Sequence, residues 1–209
     1  MPPICTWVVK LGGALLATPA LDEWLAACAA PAPVRCLVVA GGGGLADEVR
    51  QLQGRWQFDD DLAHELAIET MRMHARMLAA RVPTLPLFTA STAAAWSANG
   101  STGALWLAPP GCVALLRPAS WAVTADSIAL WLAQRLQAAA LIVVKALPAS
   151  KLVGGNAATF AAAGVLDQNF PARLAAAPLP VRIVAREQAA AFAGARRRAV
   201  WDEVGVACS

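Results

Sequence analysis

Two glycine clusters, each lying between a short apolar run and a segment with helical periodicity, constrain the fold of this chain most. Gly12 and Gly13 follow the run at residues 6–10, and a second cluster at residues 41–44 follows the run at residues 35–40. A buried strand, a glycine turn and a helix are the repeating unit of an open α/β sheet, whose turns expose backbone amides at the carboxyl ends of the strands. The sequence therefore predicts two neighbouring phosphate-binding turns at one edge of a sheet.

The alternation of strands and helices continues along the chain. Further buried strands are predicted at residues 85–88, 113–116, 141–145 and 181–185. Helices are predicted at residues 21–30, 45–53, 62–81, 126–138 and 186–193, with Thr18 capping the first, and residues 148–180 are expected to be rich in loops. Continuous apolar strands joined by helices are typical of a largely parallel sheet covered on both faces. We therefore expect residues 1–209 to form a single α/β domain, a three-layer αβα sandwich with a mostly parallel open sheet.

The composition argues against a membrane protein, although 58% of the residues are apolar. Pro109, Pro110 and Gly111 interrupt the longest apolar stretch, and Lys10 interrupts the apolar run near the amino end. A transmembrane helix needs about 20 consecutive apolar residues, so none is expected. Lys10 also divides what would otherwise resemble the core of a signal peptide.

Cysteine usage and charge indicate a cytoplasmic protein without a nucleic-acid partner. The five cysteines are odd in number and lack metal-binding spacing, so we expect reduced thiols that serve mainly in packing. The net charge is only +3, and the basic run at residues 196–198 is interpreted as a solvated helix end.

Lysine is scarce, and two of the lysines occupy the same unusual setting. Only three of the 17 basic Lys and Arg residues are lysines, and Lys10 and Lys145 each end a predicted buried strand. A lysine there is unfavourable unless an anion meets it, although a side chain that reaches out to solvent beside a tight turn is the alternative. One anionic pocket at the carboxyl edge of the sheet would explain both residues. The position of Lys151 is equally consistent with chance.

Two further segments could contribute to such a pocket. Gly41, Gly42, Gly43 and Gly44 cost roughly 0.5–1 kcal/mol each against alanine in regular structure, which close approach of a ligand would justify and a mobile turn would not. Their spacing matches neither a P-loop nor a dinucleotide fingerprint. Thr124 and Asp126 begin a predicted helix, where a simple N-cap is the alternative to a functional role.

In this order, the segments K-x-G-G, G-G-G-G and T-A-D-S, followed by an apolar strand, resemble the amino acid kinase family. This family includes acetylglutamate, carbamate, uridylate and isopentenyl phosphate kinases, and the resemblance spans roughly residues 4–150 with a weaker continuation at residues 164–167. Within the family, residues 61–68, 121–133 and 164–167 are most similar to the kinases of methanofuran biosynthesis. Those enzymes convert [5-(aminomethyl)furan-3-yl]methyl phosphate into its diphosphate.

The resemblance implies a role for each matching residue. Lys10 would neutralise the transferring phosphoryl group, and Asp126 would orient the lysine ammonium groups. Gly12, Gly13 and Thr124 would bind ATP, which carries Mg²⁺, so no metal site of the protein's own is expected. Gly41, Gly42, Gly43 and Gly44 would cradle the acceptor phosphate. Such a site acts through placement and charge compensation.

The chain departs from the family pattern in one place. Many relatives carry a second catalytic lysine shortly after a later Gly-Gly pair, but no lysine follows Gly154 and Gly155 here. Lys145 stands where many relatives have a threonine, and we expect it to supply the missing charge. Lys151 is the second choice for this role in the nucleotide site.

Several other side chains are weaker candidates. His64 is expected either to bind the acceptor phosphate or to pack, whereas His74 is expected to be structural. The acidic residues 59–61 could meet a substrate ammonium group, although capping or solvation is the favoured account. Trp96 and Trp106 flank a polar segment that could close over a furan ring.

The function expected from these observations is an ATP-dependent kinase that converts a small-molecule phosphate into a diphosphate. The expected acceptor is [5-(aminomethyl)furan-3-yl]methyl phosphate, and a homo-oligomer is possible in this family. The alternatives are a kinase of another small phosphate or carboxylate, and a catalytically idle relative that binds a nucleotide or an oxyanion. The catalytically idle relative remains an alternative because the later lysine of the family is missing here.

Overall fold

A single mostly parallel sheet organises the structure, a computed structural model that describes residues 5–208. Within these residues the sheet has seven strands: β1 (Thr6–Leu11), β2 (Arg35–Ala40), β3 (Leu87–Phe88), β4 (Gly103–Trp106), β5 (Ala140–Lys145), β6 (Val181–Ala185) and β7 (Val206–Ala207). Eight α-helices belong to the same part of the chain: α1 (Ala20–Ala29), α2 (Gly43–Trp56), α3 (Asp60–Arg81), α4 (Ala93–Asn99), α5 (Ala125–Arg135), α6 (Ala157–Ala162), α7 (Phe170–Ala176) and α8 (Ala189–Arg198).

The strand order brings the carboxyl ends of three central strands together. The order is β3-β4-β2-β1-β5-β6-β7, and every pairing is parallel except that of β6 with β7. The chain leaves β1 toward β2 on one side, while β5 adds to the other side of β1. A crevice therefore forms at the carboxyl ends of β1, β2 and β5, which is where open α/β sheets bind ligands.

Helices cover both faces of the sheet, which confirms the predicted three-layer α/β architecture. Trp7, Val9 and Leu11 face a layer that contains Trp24 of α1 and Phe192 of α8. Alternate residues of the same strands face the opposite layer, which α3, α5 and α7 form through Ile68, Ile128, Phe170 and their neighbours. The period of two along β1 therefore directs Lys10, together with Val8, toward the α3–α5–α7 layer.

The central strands and most long helices follow the sequence prediction, with shifted ends. β1 extends one residue beyond Lys10, and α2 begins inside the glycine cluster at Gly43. Thr18 does not cap α1, because its hydroxyl donates to the carbonyl of Leu15 and Pro19 occupies the cap position. The single-domain expectation for residues 1–209 stays a prediction, and its ends, residues 1–4 and 209, lie outside the described residues.

The predicted strand at residues 113–116 is wrong, and the stretch at residues 148–180, which the sequence predicts to be rich in loops, also contains two short helices. A 3₁₀ turn at Cys112–Leu115 replaces the strand, and strand β4, which pairs with β2 and β3, lies ten residues earlier at Gly103–Trp106. Gly103 fits there because a Cβ would approach the side chain of Leu85 to 2.8 Å. The two short helices within residues 148–180 are α6 and α7. Both are too short for periodicity to reveal them.

The basic run contains a buried arginine, which corrects its interpretation as a solvated helix end. Arg196 is 1% exposed, whereas Arg197 and Arg198 are exposed. The Arg196 guanidinium donates to five backbone carbonyls, those of Ala27, Cys28, Ala30, Val34 and Thr102. It therefore satisfies the carboxyl end of α1 and the entry to β2, which are otherwise short of donors.

All five cysteines are free thiols, and four of them are buried. This agrees with the expectation of reduced packing residues. Among the helices of residues 5–208, none combines the length and the apolar character that crossing a bilayer requires.

We predict that Arg196→Leu lowers the free energy of unfolding by about 2–4 kcal/mol, because five buried carbonyls lose their donor. Arg197→Leu is the matched control, since it removes the same charge from an exposed neighbour and should change stability by less than about 0.5 kcal/mol. Urea denaturation of the two variants measures the difference. Equal stabilities would contradict the anchoring role of Arg196.

Candidate active site

Two neighbouring strands deliver two lysines to one face of the sheet. Lys10 of β1 pairs with Val143 of β5, and Lys145 lies two residues farther along β5. Residues two apart on a strand point to the same side, so both ammonium groups face the layer that contains α5. The two lysines that the sequence singled out are thus brought together, at the carboxyl ends of the strands.

Asp126, in the first turn of α5, bridges the two lysines. Its Oδ1 lies 2.8 Å from Lys10 Nζ, and its Oδ2 accepts a hydrogen bond of 2.7 Å from Lys145 Nζ. Burial by itself raises the pKa of this carboxyl, but the two ammonium groups outweigh burial and lower the pKa to about 2. Asp126 is therefore ionised at neutral pH, and the triad carries one net positive charge.

The two lysines differ in their surroundings. Lys10 is 5% exposed and lines an internal cavity, whereas the side chain of Lys145 keeps 15% of its surface exposed. Burial lowers the pKa of Lys145 to about 8, and the charge of Lys10 adds to this effect while Asp126 opposes it. The Lys10 end of the triad therefore lies at the cavity, and the Lys145 end lies nearer the surface.

The two glycine clusters pack directly against each other. A Cβ on Gly13 would lie 2.5 Å from the amide nitrogen of Gly43, and a Cβ on Gly41 would lie 2.7 Å from that of Gly13. Gly43 also has a φ of +52°, which side-chain-bearing residues rarely adopt. Contact between the two turns is therefore a sufficient reason for glycine at these positions, in addition to ligand approach.

The amides of the two clusters are not equally available to a phosphate. Gly12 donates to the carbonyl of Val144, and Gly41 donates to that of Leu11, each at 2.9–3.0 Å. Gly42, Gly43 and Gly44 form the beginning of α2, where amides have no acceptor within the helix and the helix dipole favours an anion. The free donors thus lie mainly in the second cluster.

Helix α3 supports the second cluster from behind. A Cβ on Gly42 would lie 2.6 Å from Thr70 Oγ1, and His74 Nδ1 forms a 2.9 Å hydrogen bond with the carbonyl of Gly41. His74 is half-buried, so the expectation of a structural role agrees with its position.

A cavity of about 310 Å³ opens beside the triad. Lys10, Gly13 and Thr124 line it at the sheet, and α2, α3 and the segment before α5 provide the remaining walls. The lining includes Gly41, Gly42, Gly43, Asp47, Arg50, His64, Ile68, Met71, Trp121 and Ile128. Gly12 and Gly44 do not line this cavity; Gly12 packs beside Lys145 instead, where a Cβ would lie 3.8 Å from its Cα.

His64 lines the cavity with a buried imidazole. The residue is 5% exposed, and its Nε2 has no hydrogen-bond partner among the described residues. Burial is the main cause of a lowered pKa, and the imidazole donates to the carbonyl of Leu116. A binding role for His64 thus stays a prediction, now with an unsatisfied atom to support it.

Other candidates lie away from the triad. Lys151 is exposed in a 3₁₀ turn and forms no ion pair within residues 5–208. Asp59 caps α3, while Asp60 accepts from Gln53 and Asp61 pairs with Arg117, in agreement with the capping account.

The two tryptophans considered for a furan ring are core residues. Trp96 and Trp106 are each 3% exposed, and their indole nitrogens donate to Thr6 Oγ1 and to the carbonyl of Ala90. Both belong to the packed layer between the sheet and its helices. Neither they nor the polar segment between them lines the cavity, so the structure gives no support to the prediction that this segment closes over a furan ring.

The sequence motif at residues 164–167 has a structural purpose that sequence reasoning missed. Asp167 is buried, and its carboxylate accepts from the amide and hydroxyl of Thr124 and from the amide and hydroxyl of Ser127. The amide of Phe170 donates to the same carboxylate. Asp167 thus fixes the first turn of α5, which carries Asp126. The hydroxyl proton of Thr124 is donated to Asp167 in this arrangement.

Within residues 5–208, no group of three or more His, Cys, Asp and Glu side chains could hold a metal ion. The hydrogen-bond donors at the site fit a phosphate instead. Two ammonium groups and the free amides at the start of a helix are groups that bind oxyanions.

We predict that Asp167→Asn lowers the free energy of unfolding by about 1–3 kcal/mol, because an amide NH₂ replaces one acceptor oxygen among five converging donors. Asp202→Asn removes the same charge from an exposed position and should have little effect. Urea denaturation compares them, and equal midpoints would show that Asp167 does not hold α5 in place.

Comparison with known proteins places the chain in a family. The model of the amino acid kinase family matches residues 6–148. The structure is similar to uridylate kinase from Archaeoglobus fulgidus, with a TM-score of 0.67, 17% identity, and coverage of 97% of this chain and 99% of that one. It is also similar to UMP kinase from Bacillus anthracis, with a TM-score of 0.70, 15% identity, and coverage of 99% and 96%.

Aspartate kinase from Synechocystis has a TM-score of 0.62 at 14% identity, covering 87% of this chain and 38% of that one. No curated protein sequence matches the chain significantly. At these identities the structural likeness concerns the fold alone. The family model covers more than half of the chain, and its match includes both glycine clusters and the Lys10–Asp126–Lys145 triad. The chain belongs to the amino acid kinase family.

Proposed function

We propose that this protein is an ATP-dependent kinase that transfers a phosphoryl group to a small-molecule phosphate and forms a diphosphate. The observation that carries this proposal is the buried triad, in which Asp126 holds the ammonium groups of Lys10 and Lys145 at 2.8 and 2.7 Å. Membership of the amino acid kinase family supports a phosphotransferase that acts on a small molecule. The structural likeness to uridylate and UMP kinases agrees with a phosphate group as the acceptor.

In this proposal Lys10 lies beside the acceptor phosphate and the transferring phosphoryl group, and Lys145 lies beside the phosphates of ATP. An oxygen of the acceptor phosphate forms a bond to the γ-phosphorus while the bond from that phosphorus to the β-phosphate oxygen breaks, and ADP leaves with the electron pair. The acceptor occupies the cavity, with its phosphate at the amino end of α2 and beside Lys10. ATP lies on the side of Lys145 and Gly12, and it brings Mg²⁺ with it. The acceptor's phosphate oxygen is already anionic, so it attacks without a general base, and the protein contributes placement and charge compensation.

The size of the cavity supports a small acceptor. About 310 Å³ lies at the lower end of the range of small-molecule pockets, which is roughly 300–1,000 Å³. We propose [5-(aminomethyl)furan-3-yl]methyl phosphate as the acceptor, on the strength of the sequence resemblance to the kinases of methanofuran biosynthesis. We also propose a cytoplasmic location, because ATP is the proposed phosphoryl donor.

An exposed apolar face supports the proposed self-association. Leu62, Leu66, Met73 and Met77 lie on one side of α3 and are between 36% and 52% exposed. Their spacing of four and seven residues places them along one side of the helix, with the exposed Glu69 between Leu66 and Met73, in a stripe of the kind that two helices bury against each other.

The direct test is ADP release from ATP and Mg²⁺ with a panel of acceptors: the aminomethyl-furan phosphate, isopentenyl phosphate, UMP and N-acetylglutamate. Fastest release with the furan phosphate is expected. Faster release with another compound would identify that compound as the acceptor. Release with none of them would contradict a kinase and favour a binding protein.

Lys10→Met removes the charge but keeps the volume of the stem, and it should lower kcat by roughly 10²–10³.

Lys145 and Lys151 offer a matched pair for the second charge. We predict that Lys145→Met lowers kcat/KM for ATP by roughly 10²-fold, whereas Lys151→Met changes it less than twofold. The pKa of Lys145 is lowered to about 8, so its ammonium group loses its proton as the pH rises through that region. The kcat/KM of the wild-type protein for ATP should therefore fall over the same pH range. Asp126, with a pKa of about 2, should give no acid limb above pH 5. A larger loss in Lys151→Met would move the role to that residue.

A further inference from the structure

The helices that line the acceptor cavity show how far it extends from the glycine turn at residues 41–44. On α2 the lining residues run from Gly43 to Arg50, and on α3 they run from Met71 to His64. At a rise of 1.5 Å per residue, each of these spans is about 10 Å long. The two helices therefore agree on a cavity about 10 Å in length.

Helices α2 and α3 run antiparallel, which identifies the two ends of the cavity. At the glycine turn, a Cβ on Gly42 would lie 2.6 Å from Thr70 Oγ1. Farther along α2, Gln53 Nε2 donates to Asp60 Oδ1 in the first turn of α3 at 2.8 Å. The glycine turn is thus one end of the cavity, and Arg50 lies at the opposite end, which we call the far end.

The indole ring of Trp121 lies at the far end. Trp121 belongs to the segment before α5 and lines the cavity. The guanidinium of Arg50 lies over the ring, 4.3 Å from its centroid, and the indole Nε1 donates to Gln53 Oε1 at 2.6 Å. Trp121 also lines a minor cavity of about 10 Å³, which Asp60 and Ser120 help to form. The ring therefore lies between the main cavity and the start of α3.

Contacts on two sides hold this ring in place. Gln53, which accepts from the indole, is itself fixed because its Nε2 donates to the Asp60 carboxylate and, at 3.3 Å, to the carbonyl of Phe58. The guanidinium of Arg50 holds the face of the ring through a cation–π contact. The ring cannot move aside without losing contacts at its edge and on its face, so it forms a fixed wall.

We propose that Trp121 determines the acceptor specificity of this kinase by setting the maximum length of the organic group attached to the phosphate. This inference rests on the proposed function, because it assumes that the acceptor phosphate occupies the glycine turn. With the phosphate held there, the organic group extends toward the far end and meets the indole. Short acceptors fit between the two, whereas longer acceptors must displace the ring from Arg50 and Gln53.

A series of phosphate monoesters tests the proposal: ethyl, butyl, hexyl and octyl phosphate. Calorimetric titration measures the affinity of each ester, and ADP release from ATP and Mg²⁺ measures its turnover. In the wild-type protein, affinity should rise about fourfold for each methylene that the cavity buries. The rise should end before octyl phosphate, because that extended chain and its phosphate are together longer than the cavity.

Trp121→Ala should extend the rise to the longest ester, because the chain can then occupy the space of the indole. Octyl phosphate should bind this variant at least about 10-fold more tightly than it binds the wild-type protein, since more than one further methylene is buried. Ethyl phosphate does not reach the far end, so its affinity should change by less than about twofold.

Trp56→Ala is the matched control. Trp56 ends α2, is 67% exposed and does not line the cavity, so its replacement should leave the wild-type length limit unchanged. The melting temperature of each variant is measured as well. If Trp121→Ala unfolds, Trp121→Leu retains part of the apolar volume and should still raise the affinity for octyl phosphate at least about fourfold.

The outcomes separate this inference from the proposed function. Affinity that rises up to octyl phosphate in the wild-type protein, an unchanged limit in folded Trp121 variants, or an equal loss of affinity for all four esters would each overturn the wall. ADP release accompanied by any of these results would leave the kinase proposal intact. A limit that moves in Trp121→Ala without ADP release from any ester would support the wall and contradict the kinase. Absence of binding by every ester would overturn both.

Discussion

The ion-paired triad of Lys10, Asp126 and Lys145 is the interaction on which the rest of the site depends. A buried lysine is strongly unfavourable unless an anion compensates it, and here one carboxylate serves two ammonium groups. The arrangement leaves a net positive charge at the carboxyl edge of the sheet, where a phosphate can complete the compensation. The triad requires that β1 and β5 pair in the register that aligns Lys10 with Val143, and that α5 begin where its first turn carries Asp126.

Buried polar anchors fix both ends of this framework. Asp167 collects five hydrogen bonds at the start of α5, and Arg196 donates to five carbonyls on the other side of the sheet. Each group is charged, and each is surrounded by backbone or hydroxyl partners of the appropriate kind, which is how such groups are tolerated inside a protein.

Much of the site could be predicted because its determinants are local. The apolar run before Lys10, the glycines after it and the apolar run before Lys145 specify strands that end in the same direction, and parallel pairing then brings the two lysines to one edge. The long helix α3 could be predicted from its periodicity. The short strand β4 and the short helices α6 and α7 could not, because packing against distant parts of the chain, such as Gly103 against Leu85, stabilises segments with little pattern of their own.

The sequence by itself determined the fold class, the family and the residues of the triad, since each depends on short motifs and on the period of buried strands. Only the tertiary structure decided which amides remain free, that Arg196 is buried, that Asp167 holds α5, and that Nε2 of His64 is buried without a hydrogen-bond partner among the described residues. These properties depend on contacts between residues tens of positions apart, and no local pattern encodes the distance or the direction of such a contact.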